Sequence, residues 1–442
     1  MSLKFAITTL GCKVNQCEQK EIASLFVEAG FGEAGMRERA DVYIINSCAI
    51  TREAENKARQ IASSVKGRFP EAVVALAGCY ASRLGDEKLK NIDIYVSQAD
   101  KKKIVEICAR YLSEKNTRAE TAHGYEKQAD DKGPAATQPK TRAQLKIQDG
   151  CKSFCSYCIV PYIRTEEYSM PPDEVIRQIV TLSAAGFSEI VLTGIHVGKY
   201  AVNDIYGNLF GFENLLQTLD LYPFEKEFRI RISSIDPCEL SEKIIYLIKN
   251  SPRFAPHFHV ALQSGSDRIL KAMNRRYGRA EFIEKIKLIE SNIELAAITS
   301  DVIVGFPGES EEDFMDTYNL LNEFNFYDFH IFQYSDRPGT AASRIAEKVD
   351  PAVKKERSRI LHELKYKKNS IYYKNNIGRE AFVIPEKILS KAPDGSARLS
   401  GHSERYIETA FDGRADMAGK IVKVRLVSAS EVSDGMNAVL TQ

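Results

Sequence analysis

"QLKIQDGCKSFCSYCIVPY", residues 144–162, carries three cysteines, Cys151, Cys155 and Cys158, at spacings of four and three, and no further cysteine or histidine follows within ten residues. A structural zinc site closes with four tetrahedral ligands. An iron-sulfur cluster on three thiolates instead leaves one iron open to a small molecule. Zinc completed by a remote ligand, and three buried structural thiols, stand as alternatives at this point. The cysteines follow the alternating run "AQLKIQ", so they sit where parallel α/β folds gather active-site loops, at the carboxyl end of a strand.

Outward from this stretch, five more β-rich runs follow: "EIVLTG", "FRIRISS", "HFHVALQ", "AITSDVIVGF" and "YDFHIFQYS". Helical patterns such as "PDEVIRQIVTLSAAG" and "EEDFMDTYNLLNEF" separate them, which predicts a partial β/α barrel over residues 143–377. Upstream, "KFAITTL", "DVYIINS" and "AVVALAG" alternate with helical stretches, predicting a parallel α/β domain over 1–111. Residues 112–142 are polar, with Gly133, Pro134 and Pro139, and read as a linker. From 378 to 442, short alternating runs broken by "APDGSA", "DGRADMAG" and "VSDGM" predict a small β-barrel. The fold class is therefore α/β, with a C-terminal β domain.

The chain has 442 residues, with 61 basic and 60 acidic side chains for a net charge of +1. Such a balance excludes global attraction to nucleic acid or membrane, so those partners must be read from local patches. No run of eighteen apolar residues occurs, and the N-terminus enters a strand pattern at once, without a signal-peptide h-region. A cytoplasmic protein without membrane contact is expected. Nine cysteines in a chain of this length point to metal or redox chemistry rather than a disulfide framework.

Three of those cysteines occupy equivalent places: "TTLGC" ends at Cys12, "IINSC" at Cys48 and "ALAGC" at Cys79. Each follows an apolar run and one or two small residues, which puts it beyond the carboxyl end of a parallel strand, where open sheets bind ligands. Singly, each could be a small buried hydrophobe. Together they form a second three-thiolate set. Cys17, Cys108 and Cys238 lack matching partners and are expected to be non-ligands.

The C-x3-C-x2-C spacing resembles the signature of the radical S-adenosylmethionine enzymes, with Tyr157 at the aromatic position before the last cysteine. That resemblance implies a 4Fe-4S cluster on Cys151, Cys155 and Cys158, whose open iron binds S-adenosylmethionine and whose electron cleaves it to a 5′-deoxyadenosyl radical. Gly194, Ser233, Ser234 and Gln263, at the ends of the next three strands, are candidate cofactor contacts, with ordinary strand-end turns as the alternative. The chain as a whole resembles the methylthiotransferases. The matching stretches are "TLGCKVN", "NSCAIT", "AGCYA", "KIQDGCKSFCSYCIVPY", "LQSGSDRILKAMNR", "DVIVGFPGE", "YSDRPGT" and "GHSERYIETAF". The resemblance implies a second 4Fe-4S cluster on Cys12, Cys48 and Cys79 that carries the sulfur, a C-terminal TRAM-type domain that binds RNA, and an external electron donor. One S-adenosylmethionine would methylate the sulfur and a second would provide the radical, as an unactivated aromatic C–H offers no acidic proton to acid-base chemistry. Lys13-Val14-Asn15 resembles the branch acting at C2 of N6-threonylcarbamoyladenosine in tRNA, rather than those for isopentenyladenosine or a ribosomal protein. A monomer is expected.

Lys354 to Lys374 interleaves eight basic residues with Tyr366, Tyr372 and Tyr373, a composition suited to phosphate and exposed bases. The competing reading is a helix packing an apolar stripe on the barrel. One stretch departs from the resemblance: after Arg164, Thr165 replaces the usual glycine, and Glu166, Glu167 and Tyr168 stand where basic residues are expected. Two rivals from other classes are a non-catalytic iron-sulfur RNA-binding protein and a cobalamin-dependent radical enzyme. The latter would need a histidine-bearing loop that residues 1–111 lack.

Overall fold

The computed structural model describes residues 3–119, 141–203, 206–430 and 435–441, and the chain divides into two compact units. The first unit holds a five-stranded parallel sheet: β1 (Lys4–Thr9), β2 (Gly32–Glu33), β3 (Val42–Asn46), β4 (Val73–Ala77) and β5 (Ile94–Val96), in the order β2-β1-β3-β4-β5. Every residue of β3 and β4 is buried, as continuous apolar runs at the centre of a parallel sheet require. Helices α1 (Lys13–Glu28) and α4 (Ile104–Ala119) cover one face through Ile22, Phe26, Ile104, Cys108 and Leu112. Helices α2 (Arg52–Arg68) and α3 (Cys79–Leu84) cover the other through Ala58, Ala62, Val65, Tyr80 and Leu84. Thr51 caps α2 by accepting from the Ala54 N–H at 3.3 Å, with Glu53 and Glu55 in the first turn and Lys66 and Arg68 in the last, matching the helix dipole.

Two expected boundaries differ. The stretch read as a linker from residue 112 is helical through Ala119, because Leu112 continues the buried stripe of Ile104 and Cys108; residues 120–140 of that stretch lie outside the described residues. Residues Gly150–Ser153 and Cys158–Glu167, placed by the sequence in the central domain, belong to the first compact unit, where α5 (Val160–Ile163) packs Ile159 and Ile163 on Cys79.

In the second unit, six parallel strands follow one another: β6 (Arg142–Asp149), β8 (Glu189–Gly194), β11 (Arg229–Ile232), β12 (His257–His259), β13 (Ala297–Val304) and β14 (Phe326–Gln333). Isolated bridges from Ile230 to Phe254 and Ile235 to Val260 join the β11 and β12 halves. Short strands β7 (Tyr168–Ser169), β9 (Ala201–Asn203) and β10 (Leu209–Gly211) are antiparallel additions. The six expected strands are all present, and β14 does not pair with β6 among the described residues, so the barrel is open. Residues 380–440 form a closed barrel, β15 (Glu380–Lys391), β16 (Ser396–Ser403), β17 (Glu408–Arg414), β18 (Val422–Ala429) and β19 (Met436–Leu440), in the order β15-β16-β17-β19-β18.

A buried ion cluster ties this small barrel to the open one. Glu189, fully buried, accepts from Arg142 Nε (2.6 Å), Arg229 Nε (2.5 Å) and Arg231 Nη2 (2.8 Å). Arg229 also donates to the carbonyls of Phe382 and His402, and Arg231 to those of Ser403 and Glu404. Burial opposes the carboxylate, but Arg231 and Arg229 hold Glu189 well below the usual carboxylate range.

The helix Pro351–Asn376, capped by Asp350, corrects the stacking role expected for two of its tyrosines. Tyr372 and Tyr373 are buried with Tyr327 in the core of the small barrel, and Tyr372 donates to the Leu295 carbonyl at 2.8 Å. Several of the basic residues are also engaged within the protein: Arg357 with Glu309, Lys365 with Asp328, and Lys368 with the Phe324 carbonyl. Tyr366 remains exposed. No helix among the described residues is long and apolar enough to cross a membrane.

Candidate iron-sulfur sites

In the first unit, Cys12 follows β1, Cys48 follows β3 and Cys79 follows β4, three adjacent parallel strands. The order β2-β1-β3-β4-β5 reverses direction between β1 and β3, so Cys12 and Cys48 flank the topological switch point where such sheets open a crevice. Glycines permit the approach. Gly11 has φ +103°, and a Cβ on it would lie 2.3 Å from Cys48 Cβ; Gly78 has φ +88°, and its Cβ would lie 2.7 Å from Asn46 Oδ1.

Burial pushes the Cys12 thiol up, with Asn15 and Arg164 pulling it back, and pushes the Cys48 thiol up to about 12. Each of these two is raised further by its neighbouring thiols. Thiols so placed ionise only when a cation takes the proton's place. Two buried polar atoms beside Cys48, Ser47 Oγ and Asn46 Oδ1, have no hydrogen-bond partner. A donor set of three thiols from three loops, glycine-lined and backed by unpaired polar atoms, fits a cluster that leaves one iron open better than a closed four-ligand zinc.

Behind these thiols Arg164, from the segment after α5, donates to Glu18 Oε1 at 2.8 Å and Oε2 at 3.0 Å, and to Asn15 Oδ1 at 3.2 Å. Lys101 Nζ reaches Glu18 Oε2 at 2.5 Å, and Gln98 Nε2 donates to Glu18 Oε1 at 2.8 Å. The sequence pointed to Arg164 only as a remnant of a motif, and Glu18 and Lys101 carried no signal at all. The atypical acidic stretch is exposed, and within it Glu167 accepts from the Lys152 backbone N–H at 3.0 Å, beside Cys151. Gly150, with φ +75°, could not carry a Cβ, which would lie 1.9 Å from the Glu166 carbonyl oxygen. Cys151 and Cys158 belong to this unit; the Cys151 thiol lies 3.3 Å from Ser153 Oγ.

Cys155 and Tyr157 belong to the second unit. Ser156 fixes their segment by donating to the carbonyls of Met273 (2.9 Å) and Ala272 (2.7 Å), and Tyr157 packs on Ile269, Met273 and Phe306. Arg275 Nη1 donates to Cys155 Sγ at 3.2 Å, and its other Nη pairs with Asp236. Of the expected cofactor contacts, Gly194 ends β8 and packs directly on Gln148, since a Cβ there would lie 2.9 Å from Gln148 Cβ. Ser233, after β11, is buried with an unpartnered hydroxyl, as a ligand contact would be. Ser234 is exposed. Gln263 sits at φ +66° and bridges β13 through its backbone.

Polar groups that sequence reasoning missed complete this mouth. His196 Nε2 lies 2.7 Å from Glu239 Oε2, and its N–H donates to Gln148 Oε1 at 2.8 Å. Further along β12 to β14, His259 Nδ1 lies 2.9 Å from Thr299 Oγ1, its Nε2 3.2 Å from Asp301, and its ring stacks on His330 at 5.6 Å. Period-2 alternation along these strands was the available signal, because Thr299 and Asp301 share a face opposite Ile298 and Val302.

Two family models match the chain, the Radical SAM superfamily over residues 145–321 and the Uncharacterized protein family UPF0004 over residues 4–98. A protein of Bacillus subtilis named threonylcarbamoyladenosine tRNA methylthiotransferase MtaB is 38% identical, covering 96% of this chain and 94% of its own. One of the same name from Thermotoga maritima is 34% identical with the same coverage. A tRNA-2-methylthio-N(6)-dimethylallyladenosine synthase of Pelotomaculum thermopropionicum is 31% identical, covering 96% and 95%. The radical S-adenosylmethionine methyltransferase TsrM of Kitasatospora setae shares the fold at a TM-score of 0.54 with 11% identity, over 77% of this chain and 75% of its own. With a thiol triad at the carboxyl edge of its first sheet and relatives of this identity along nearly its whole length, the chain belongs to the tRNA methylthiotransferases of the radical S-adenosylmethionine superfamily.

Proposed function

We propose that this enzyme installs a methylthio group at C2 of N6-threonylcarbamoyladenosine, 3′ to the anticodon of tRNA, using S-adenosylmethionine and two 4Fe-4S clusters. The observation that carries this reading is the convergence of Cys12, Cys48 and Cys79 on three adjacent strand ends, a second triad in addition to Cys151, Cys155 and Cys158. When bound, the clusters supply an electron to open the sulfonium of S-adenosylmethionine and an iron-held sulfur for transfer.

The chain's own residues bind and orient. Ser233 offers a buried hydroxyl to the cofactor, Gly194 keeps the β8 end thin beside Gln148, and Tyr157 packs the cysteine loop. Arg275 orients the Cys155 sulfur by donating to it at 3.2 Å. The threonylcarbamoyl branch is favoured by Lys13-Val14-Asn15, by the naming of the Bacillus and Thermotoga relatives, and by the polar His259, Asp301 and His330 group, which an apolar isopentenyl substituent would leave unmatched. A cytoplasmic monomer served by a separate electron donor, with the residue 380–440 barrel and exposed Tyr366 on the RNA, completes the proposal.

The test is anaerobic reconstitution followed by assay on matched tRNAs bearing threonylcarbamoyl or isopentenyl groups, with nucleosides analysed by mass. Roughly eight irons per chain are expected. Ala at Cys151, Cys155 and Cys158 abolishes 5′-deoxyadenosine formation, whereas Ala at Cys12, Cys48 and Cys79 preserves it and stops methylthio transfer. Product on the isopentenyl tRNA alone would overturn the branch while leaving the reaction type.

A further inference from the structure

Strands β12, β13 and β14 bring three metal-ligating side chains together on one face of the open barrel. In the parallel register His259 stands beside Thr299, and Asp301 beside His330. Their neighbours Phe258, Ile298, Val302 and Phe329 point the other way, into the hydrophobic core. A bulge sets this register: Ile298 pairs with Phe326 but Thr299 pairs with Asp328, so Tyr327 is an extra residue in β14. Without it the buried Phe329, not His330, would flank Asp301.

His259 Nε2 lies 3.2 Å from Asp301 Oδ2, and one ligand atom from each of His259, Asp301 and His330 lies within 4.8 Å of the other two. The second nitrogen of His259, Nδ1, lies 2.9 Å from Thr299 Oγ1, which in turn lies 3.3 Å from His257 Nε2. Metal-ligating histidines are oriented in this way, by a hydrogen bond at the ring nitrogen that faces away from the metal. Asp328, on the same face, is engaged by Lys365 at 2.6 Å and stays outside the set. Two imidazoles and one carboxylate are the donor set of facial-triad ferrous sites, which keep open positions. His259 and Asp301 are half-buried and His330 is exposed, so those positions can be reached.

We propose that His259, Asp301 and His330 bind a first-row divalent cation, and that its open positions take the carboxylate of the threonylcarbamoyl group. The second half rests on the substrate proposed above. It also removes a conflict within that reading, because the Asp301 carboxylate would repel the carboxylate of the substrate if no cation stood between them. Two neutral imidazoles and one carboxylate leave a divalent ion with net positive charge, which an anionic oxygen completes and an isopentenyl group cannot.

The experiment uses the full-length reconstituted protein, passed over a chelating resin, with Mn2+ as the probe because thiolates hold it poorly. Bound Mn2+ is read from the loss of the free ion's room-temperature electron paramagnetic resonance signal. About one Mn2+ per chain is expected in the parent and none in Asp301→Asn or His330→Gln, with iron content unchanged. No binding by the parent, or equal binding by the two variants, overturns the metal site. If Asp301→Asn does not fold, His330→Gln, at an exposed position, decides alone. Binding of matched tRNAs is then compared with and without Mn2+ at constant Mg2+. Mn2+ is expected to tighten binding of the threonylcarbamoyl tRNA about tenfold in the parent, but not in His330→Gln, and to leave the isopentenyl tRNA unchanged. An equal effect on both tRNAs, or none on either, overturns the carboxylate assignment. Methylthio product on the isopentenyl tRNA alone would refute the proposed substrate, a separate result, since Mn2+ binding is read without RNA.

Discussion

Replacing Glu189 by Gln keeps the side-chain shape and removes the one carboxylate on which Arg142, Arg229 and Arg231 converge. Arg229 and Arg231 keep their bonds to the carbonyls of Phe382, His402, Ser403 and Glu404, but their charges are left buried with no anion between them. Breaking a buried pair in this way costs about 3–5 kcal/mol. For a unit of this size the unfolding entropy is on the order of 0.6 kcal/mol per degree, so the melting midpoint falls by roughly 5–8 °C. The pH dependence has a definite sign. Because the folded-state pKa of Glu189 lies well below its unfolded value, its contribution is complete above the unfolded pKa of about 4.3 and is lost as pH falls towards the folded value. The Gln variant therefore loses stability at neutral pH and loses part of the wild-type acid sensitivity. Differential scanning fluorimetry from pH 7 to well below the unfolded pKa measures both, and amide exchange at Phe382 and His402 locates the loosening at the small barrel. A Gln variant within about 1 kcal/mol of wild type, with unchanged exchange at those residues, would refute the reasoning.

Other consequences are more local. Gly11→Ala, whose Cβ would meet Cys48 Cβ at 2.3 Å from a positive-φ backbone, is expected to lose the N-terminal cluster, about half the iron, while 5′-deoxyadenosine formation persists on analysis by chromatography. Gly150→Ala meets the Glu166 carbonyl oxygen and is expected to do the opposite, abolishing cofactor cleavage and retaining the N-terminal iron. Tyr372→Ala empties a buried site and costs about 3–5 kcal/mol, seen as a lower denaturant midpoint. Tyr366→Ala leaves stability within about 0.5 kcal/mol and weakens tRNA binding in a filter assay, since that side chain alone of the three tyrosines is exposed.

The strands, and the position of Cys12, Cys48 and Cys79 just beyond strand ends, were legible in the sequence because their signals are local. The runs "DVYIINS" and "AVVALAG" are apolar because both sheet faces are covered, and glycine or serine before each cysteine marks the strand end. Strand order was not legible, since the register of β1 beside β3 depends on crossover connections rather than on any residue of the two strands. That order puts Cys12 and Cys48 on either side of the switch point. The tyrosines of Lys354 to Lys374 misled because composition states what a helix carries and not which stripe a neighbouring barrel covers.

The same limit applies at the sites. The C-x3-C-x2-C spacing, and the small residue before each of Cys12, Cys48 and Cys79, are features of a few neighbouring residues. Arg164 and Glu18 meet across 146 positions, and Arg275 reaches Cys155 across 120, so only packing brings these charges together. The acidic stretch after Arg164 stood out in the sequence only as a departure from the resemblance, whereas in the structure Glu167 accepts from the backbone N–H of Lys152. The sequence by itself determined the fold class and the family, because strand periods and motif spacing are properties of adjacent residues. Tertiary structure alone decided which charges stand behind those thiols, because a buried ion is stabilised by whatever folds against it, and its partner can come from anywhere in the chain.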